Sequence, residues 1–257
     1  MKIAIIGQGA IAQYARAELA AHEIAEIARI VRPGKEQAGD KPHISRLDDL
    51  PAKPDLIVDC AGHAALKDYG LTALTLGIDV LTVSLGALAD DALYTDLENA
   101  AAQGGARLYL TSGAIGGLDA LRAGRAGGLT HVTYTGRKAP AGWLGSAAED
   151  VIDLTSIETA TPHFNGTARE AALRYPKNAN VAAAIALSGL GFDRTDVTLI
   201  ADPEVGTNMH HISAKGAFGT FDFTISGNSL PDNPRSSALA AMSVIADLAE
   251  RKKRIGF

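Results

Sequence analysis

The sequence predicts an α/β protein, a Rossmann-type doubly wound parallel sheet with a second α+β domain. Three observations carry that prediction. A short apolar strand over residues 2–6 runs straight into Gly7-Gln8-Gly9-Ala10-Ile11-Ala12 and then an Ala-rich helical stretch. As far as about residue 111, short β-branched runs alternate with longer Ala/Leu-rich segments, the rhythm of a parallel sheet with crossover helices. Beyond residues 112–117 the texture changes to strands separated by short turns, with helices grouped rather than alternating.

The Gly-rich turn is a dinucleotide fingerprint in the context it requires, after a strand and before a helix. Gly7 lets the chain turn tightly, Gly9 lets backbone approach a pyrophosphate with no Cβ in the way, and Ala12 lets helix and strand pack closely. Ala10 and Ile11 open the helix whose unpaired N–H groups and dipole favour the phosphates. NAD or NADP is therefore the expected cofactor. Further strands are expected over residues 24–31, 56–59, 80–84 and 107–111, with helices over 64–76 and 90–103 between them.

In the second half, strands are expected over residues 130–135, 197–201, 210–215 and 218–226. Thr167-Ala168-Arg169-Glu170 is a capping box that starts a helix. Asn233 as N-cap with Pro234 at the first helical position begins the last helix, on which Leu239, Met242, Ile245 and Leu248 make one apolar stripe. That helix is expected to return to the first domain, which then comprises residues 1–112 completed by 233–257, leaving 113–232 as the second.

Composition narrows the function. The 257 residues hold 24 basic and 29 acidic side chains, a net charge of −5 with no basic stripe, so no nucleic-acid partner is expected. A single cysteine, Cys60, excludes an internal disulfide framework and a cysteine zinc cluster, and it fits a reducing, cytoplasmic setting. The longest apolar stretch, around residues 181–187, falls short of the ~20 residues that span a bilayer, so no membrane partner is expected. Gln8 and Gln13 interrupt the opening apolar run, which reads as a buried first strand rather than a signal peptide.

Several residues carry candidate chemistry. NAD-specific sheets place an acid ~20 residues after the glycines to meet the ribose hydroxyls; here that region reads Arg29-Ile30-Val31-Arg32-Pro33. Arg32 or Arg29 can meet a 2′-phosphate instead, the bland reading being solvated loop charges. His210 and His211 follow Asn208-Met209 and point to opposite faces of a strand, so they do not share a metal ion and at most one faces a cleft. Either can handle protons near neutral pH, or simply satisfy structural hydrogen bonds. Cys60 reads as a buried small hydrophobe rather than a nucleophile. Asn165-Gly166-Thr167 reads as a turn rather than a glycosylation site, and residues 251–254 complement the end of the last helix.

Five motifs occur in order: Gly7 to Ala12; Ser112-Gly113-Ala114-Ile115-Gly116-Gly117-Leu118-Asp119; Asn178-Ala179-Asn180-Val181-Ala182; Ala201-Asp202-Pro203 with Asn208-Met209-His210; and Asn233-Pro234-Arg235-Ser236-Ser237. Together they resemble the L-aspartate dehydrogenase family across essentially the whole chain. The resemblance implies oxidative deamination of L-aspartate with NAD or NADP through iminoaspartate, which can also feed pyridine nucleotide synthesis. It implies Ala114 and Asn180 as cofactor contacts, His210 as the active-site histidine, and an α+β domain that also forms a homodimer. His211 lies outside the pattern. Two substrate carboxylates need donors, for which Lys138 and Asn208 are the candidates. Two other readings stay open: an NADPH-dependent reductase of another small dicarboxylate or cyclic imine, and a non-catalytic dinucleotide sensor.

Overall fold

Strand β1 (Lys2–Ile6) is buried along Ile3 to Ile6, as a strand covered on both faces must be. In the structure, a computed structural model, every residue is described except Ala38, Lys177, Asn178, Asp232 and Phe257, along with the side chains of Pro234 and Arg235. Two compact units result, Met1–Thr111 with Ala240–Phe257, and Ser112–Leu239.

In the first unit α1 (Ala10–Glu18), β2 (Ala25–Ile30), β3 (His43–Ile44), β4 (Leu56–Asp59), α2 (His63–Ala65), α3 (Leu71–Thr75), β5 (Asp79–Thr82), α4 (Asp91–Gly104) and β6 (Leu108–Leu110) follow β1. The sheet runs β3-β2-β1-β4-β5-β6 and is parallel throughout. Chain order therefore reverses between β1 and β4, the position outside whose carboxyl ends such sheets bind ligands. The helix expected over 64–76 is interrupted, because Leu66–Gly70 winds as a π turn between α2 and α3. That wide turn carries Tyr69, whose hydroxyl donates to the carbonyls of Val31 (3.1 Å) and Ser45 (3.3 Å). Asp90 caps α4, accepting from the N–H groups of Ala92 and Leu93.

The second unit holds α5 (Leu118–Ala126), β7 (Leu129–Lys138), β8 (Thr161–Thr167), α6 (Ala168–Arg174), α7 (Asn180–Ser188), β9 (Asp196–Ala201), β10 (Asn208–Gly216), β11 (Gly219–Gly227), β12 (Ser229–Leu230) and β13 (Asn233–Ser237). Its main sheet runs β11-β10-β7-β9-β8, with only β7 and β9 parallel. The capping box forms as expected, Thr167 bonding the Glu170 N–H and Glu170 reaching back. Helix α7 is apolar on every side and packs against α5 and α6.

Two expectations about the last helix, α8 (Ala238–Glu250), need correction. It does not begin at Asn233: residues 233–237 form β13, paired with β12, because a fixed proline φ suits a short strand as well as a first helical turn. The stripe is also not the one expected. A spacing of three drifts by about 60° per step around a helix, so Met242 turns outward and is 46% exposed. Val244, Ile245 and Leu248 face inward instead, against Ile3, Ile5, Leu56 and Leu81 of the parallel sheet and Ala12 and Ala15 of α1 with Leu19 at its end. No helix among the described residues is long and apolar enough to cross a membrane.

Candidate active site

At the carboxyl end of β1, Gly7 adopts φ +110, and a Cβ there would stand 3.2 Å from the backbone C and O of Cys60. Only glycine fits, which is the tight turn the fingerprint demands. Gly9 caps α1 in an extended conformation with no side-chain cap, and nothing lies within 4 Å of where its Cβ would be. Ala10 and Ile11 open α1, while Ala12, in its first turn, is wholly buried. An uncapped helix N-terminus under open space fits a pyrophosphate.

An ionic chain stiffens this turn. The Arg16 guanidinium donates to the Gly7 carbonyl (2.9 Å) and to buried Glu26 on β2 (2.8 Å), and Glu26 also receives Arg29 (3.1 Å). Arg29 pairs with Asp40 as well, so it is no loose loop charge, and it is already committed to two carboxylates. Arg32, beyond the end of β2, is exposed. At the end of β4, Asp59 is fully buried and accepts from Thr82 Oγ1 (2.7 Å), Ser84 Oγ (2.7 Å) and the Ala61 N–H (2.9 Å). Burial raises its carboxyl out of the usual range despite these bonds. Cys60 packs on the core, its thiol pushed up by burial and then by Asp59, so it is no activated nucleophile.

In the second unit, Tyr134, Gly136 and Lys138 alternate along one face of β7, and His210 pairs across to Gly136 from β10. His210 is 4% exposed, with Nδ1 2.8 Å from the Tyr134 hydroxyl. Burial, and then the Lys138 charge, push its pKa down to about 4, so it is neutral at ordinary pH. Asn208 shares its face of β10, two residues away. His211 points the other way, bonding Thr224 (2.8 Å) and lying 3.3 Å from Asp222 at the surface.

Lys138, at the end of β7, is drawn inward: its ammonium lies 4.9 Å from the centre of the Trp143 ring, and burial pushes its pKa down to about 8. Trp143 is itself fixed by donating to the Ile200 carbonyl at 3.0 Å. His163 completes this cluster and was not foreseeable from sequence pattern. The β8–β9 register slips between Pro162 and Phe164, and the bulge sets His163 edge-on to Trp143 at 4.4 Å. Its Nδ1 contacts the Tyr175 hydroxyl (3.1 Å), its Nε2 is buried without a partner among the described residues, and burial with the Arg174 and Lys138 charges lowers its pKa to about 4.

The structure thus groups Lys138, Asn208 and His210 on one sheet face, and Gly7, Gly9, Ala10, Ile11 and Ala12 at one helix terminus. Ala114 lies in the turn before α5, next to Gly113 at φ +66, and Asn180 is the first residue of α7. Asn178 and the Arg235 side chain fall outside the described residues.

The family described as "Aspartate dehydrogenase, C-terminal" matches residues 119–251, and "Homoserine dehydrogenase, NAD binding domain" matches 5–111. The L-aspartate dehydrogenase of Ruegeria pomeroyi is 52% identical over 255 residues, 98% of this chain and 92% of that protein. That of Pseudomonas aeruginosa is 52% identical over 211 residues, 81% of this chain and 79% of its own. Among solved structures, the aspartate dehydrogenase of Thermotoga maritima superposes with a TM-score of 0.81 at 27% identity, covering 100% of this chain and 99% of that one. An archaeal homoserine dehydrogenase bound to NADPH, at 12% identity and TM-score 0.62 over 97% of this chain and 96% of that one, shares the fold.

Proposed function

The chain belongs to the aspartate dehydrogenase family, and we propose that it oxidises L-aspartate, with water and NAD or NADP, to oxaloacetate and ammonia. The observation that carries this reading is the buried His210 beside Lys138, a neutral proton-handling group next to a desolvated cation on one sheet face. Bound at the α1 terminus, the cofactor supplies the hydride acceptor. The uncapped N–H groups after Gly9 hold its pyrophosphate, Gly7 and Ala12 permit the approach, and Ala10 and Ile11 line it. Arg32 is the candidate for a 2′-phosphate, since Arg29 is occupied by Glu26 and Asp40. Ala114 and Asn180 are assigned to the cofactor by their motifs.

Lys138 and Asn208 hold the substrate carboxylates, an ammonium being worth more in a site emptied of water. His210 orients the water that adds to the imine carbon and takes up or returns protons as the amine departs. Its low pKa keeps it uncharged, so it does not compete with Lys138 for a carboxylate. A homodimer belongs to the same reading: β11 pairs only with β10 among the described strands, and Phe218 beside it is 47% exposed. The lone Cys60 supports a cytoplasmic setting.

The test follows reduced cofactor with purified protein, L-aspartate and NAD⁺ or NADP⁺ in parallel at alkaline pH. Aspartate-dependent reduction is expected. Turnover only of another amino or imino acid, or tight cofactor binding without turnover of any, would overturn the assignment.

A further inference from the structure

We propose that Tyr134 is a positioning residue for His210, holding its Nδ1 so that all substrate-facing proton chemistry runs through Nε2, and that Gly136 is required to let it do so. The inference rests on the proton-handling reading of His210. Tyr134 is 2% exposed, and its hydroxyl meets Nδ1 at 2.8 Å with the two rings stacked. Gly136, two residues along β7 from Tyr134, is the cross-strand partner of His210. A Cβ at that position would fall 2.6 Å from the Tyr134 hydroxyl and 3.1 Å from its Cζ, so any other residue displaces the hydroxyl that holds the imidazole. Burial also raises the phenol's pKa, so Tyr134 keeps its proton and orients the ring without relaying charge. The phenol oxygen accepts from Nδ1–H in the neutral ring and again once the ring is protonated, so Nε2 carries the lone pair that takes up the proton and the contact survives both states.

Three variants test this, with kcat, KM and the ¹⁵N signals of the histidine rings as readouts, His210 being identified by its loss in His210→Ala. Tyr134→Phe and Gly136→Ala should each lower kcat by about 10- to 100-fold, leave KM for the cofactor within twofold, and turn one His210 tautomer into a mixture. The double variant should be no worse than either single one. His210→Ala should lose about 10²–10⁴-fold in turnover. If His210→Ala keeps near-normal turnover, the underlying reading fails. If it loses turnover while Tyr134→Phe keeps kcat and a single tautomer, only the positioning role fails.

Discussion

Lys138 shows how far one side chain departs from what its sequence neighbours suggest. A lysine flanked by Arg137 and followed by Pro140 reads as readily as a solvated charge, yet this one lies over Trp143 with its pKa pushed down to about 8. It is cationic below that pH and neutral above it. His163 and His210, the titrating groups that shift with it, are neutral throughout that range. The inhibition constant of succinate, a dicarboxylate with no amine to titrate, should therefore be level to about pH 7.5 and climb above about pH 8. Lys138→Met should weaken binding and remove the climb; a wild-type constant that stays level to pH 9.5 would count against a carboxylate role. The placement of His210 on a strand, facing away from His211, was legible from the alternation of strand side chains. The Tyr134 contact and the inward turn of Lys138 were not, since both depend on which residue lies opposite in a neighbouring strand.

Elements with strong local signals are where sequence and structure agree best. Strand β4 falls where its apolar run places it, and α4 where helical spacing over residues 90–103 places it. Strand β8 is invisible to the same logic, because Thr161–Thr167 contains Pro162 and Gly166 and is tolerated only as an edge. Helix α8 has an internal conflict that pattern alone does not reveal. Asp247 lies on it with Oδ2 buried and without a partner among the described residues, and burial raises its pKa to about 6, with Arg251 offsetting part of the effect. Its folded pKa exceeds the unfolded value, so the folded form holds the proton more tightly, and stability is lost as pH rises from about 4 through 6. Asp247→Asn should raise the melting temperature at pH 7, and the gain should shrink toward pH 4. A gain independent of pH would show that the carboxylate charge is not its cause.

Over the whole molecule, the two buried histidines act in the opposite sense. His163 and His210 have folded pKa values of about 4 against 6.5 for the free group, so the unfolded chain binds more protons between those values. Stability is therefore present above about pH 6.5 and is lost as pH falls toward 4. For His210 alone the loss is on the order of 3 kcal/mol. Trp143 is the only tryptophan and lies against His163, so its fluorescence reports on the second unit, and carrying Asp247→Asn in the background removes the opposing carboxylate effect. Urea midpoints read this way should fall between pH 7 and about 4.5; a constant midpoint would refute the assignment. The architecture was the most legible feature of all, because a parallel sheet advertises itself in each buried strand. What strand patterns do not carry is timing. Val244, Ile245 and Leu248 seal a core whose other members begin at Ile3, whereas residues 112–239 form a unit of their own. During translation the middle of the chain can settle while the residues before it still wait for a lid that the ribosome makes only after that middle is finished.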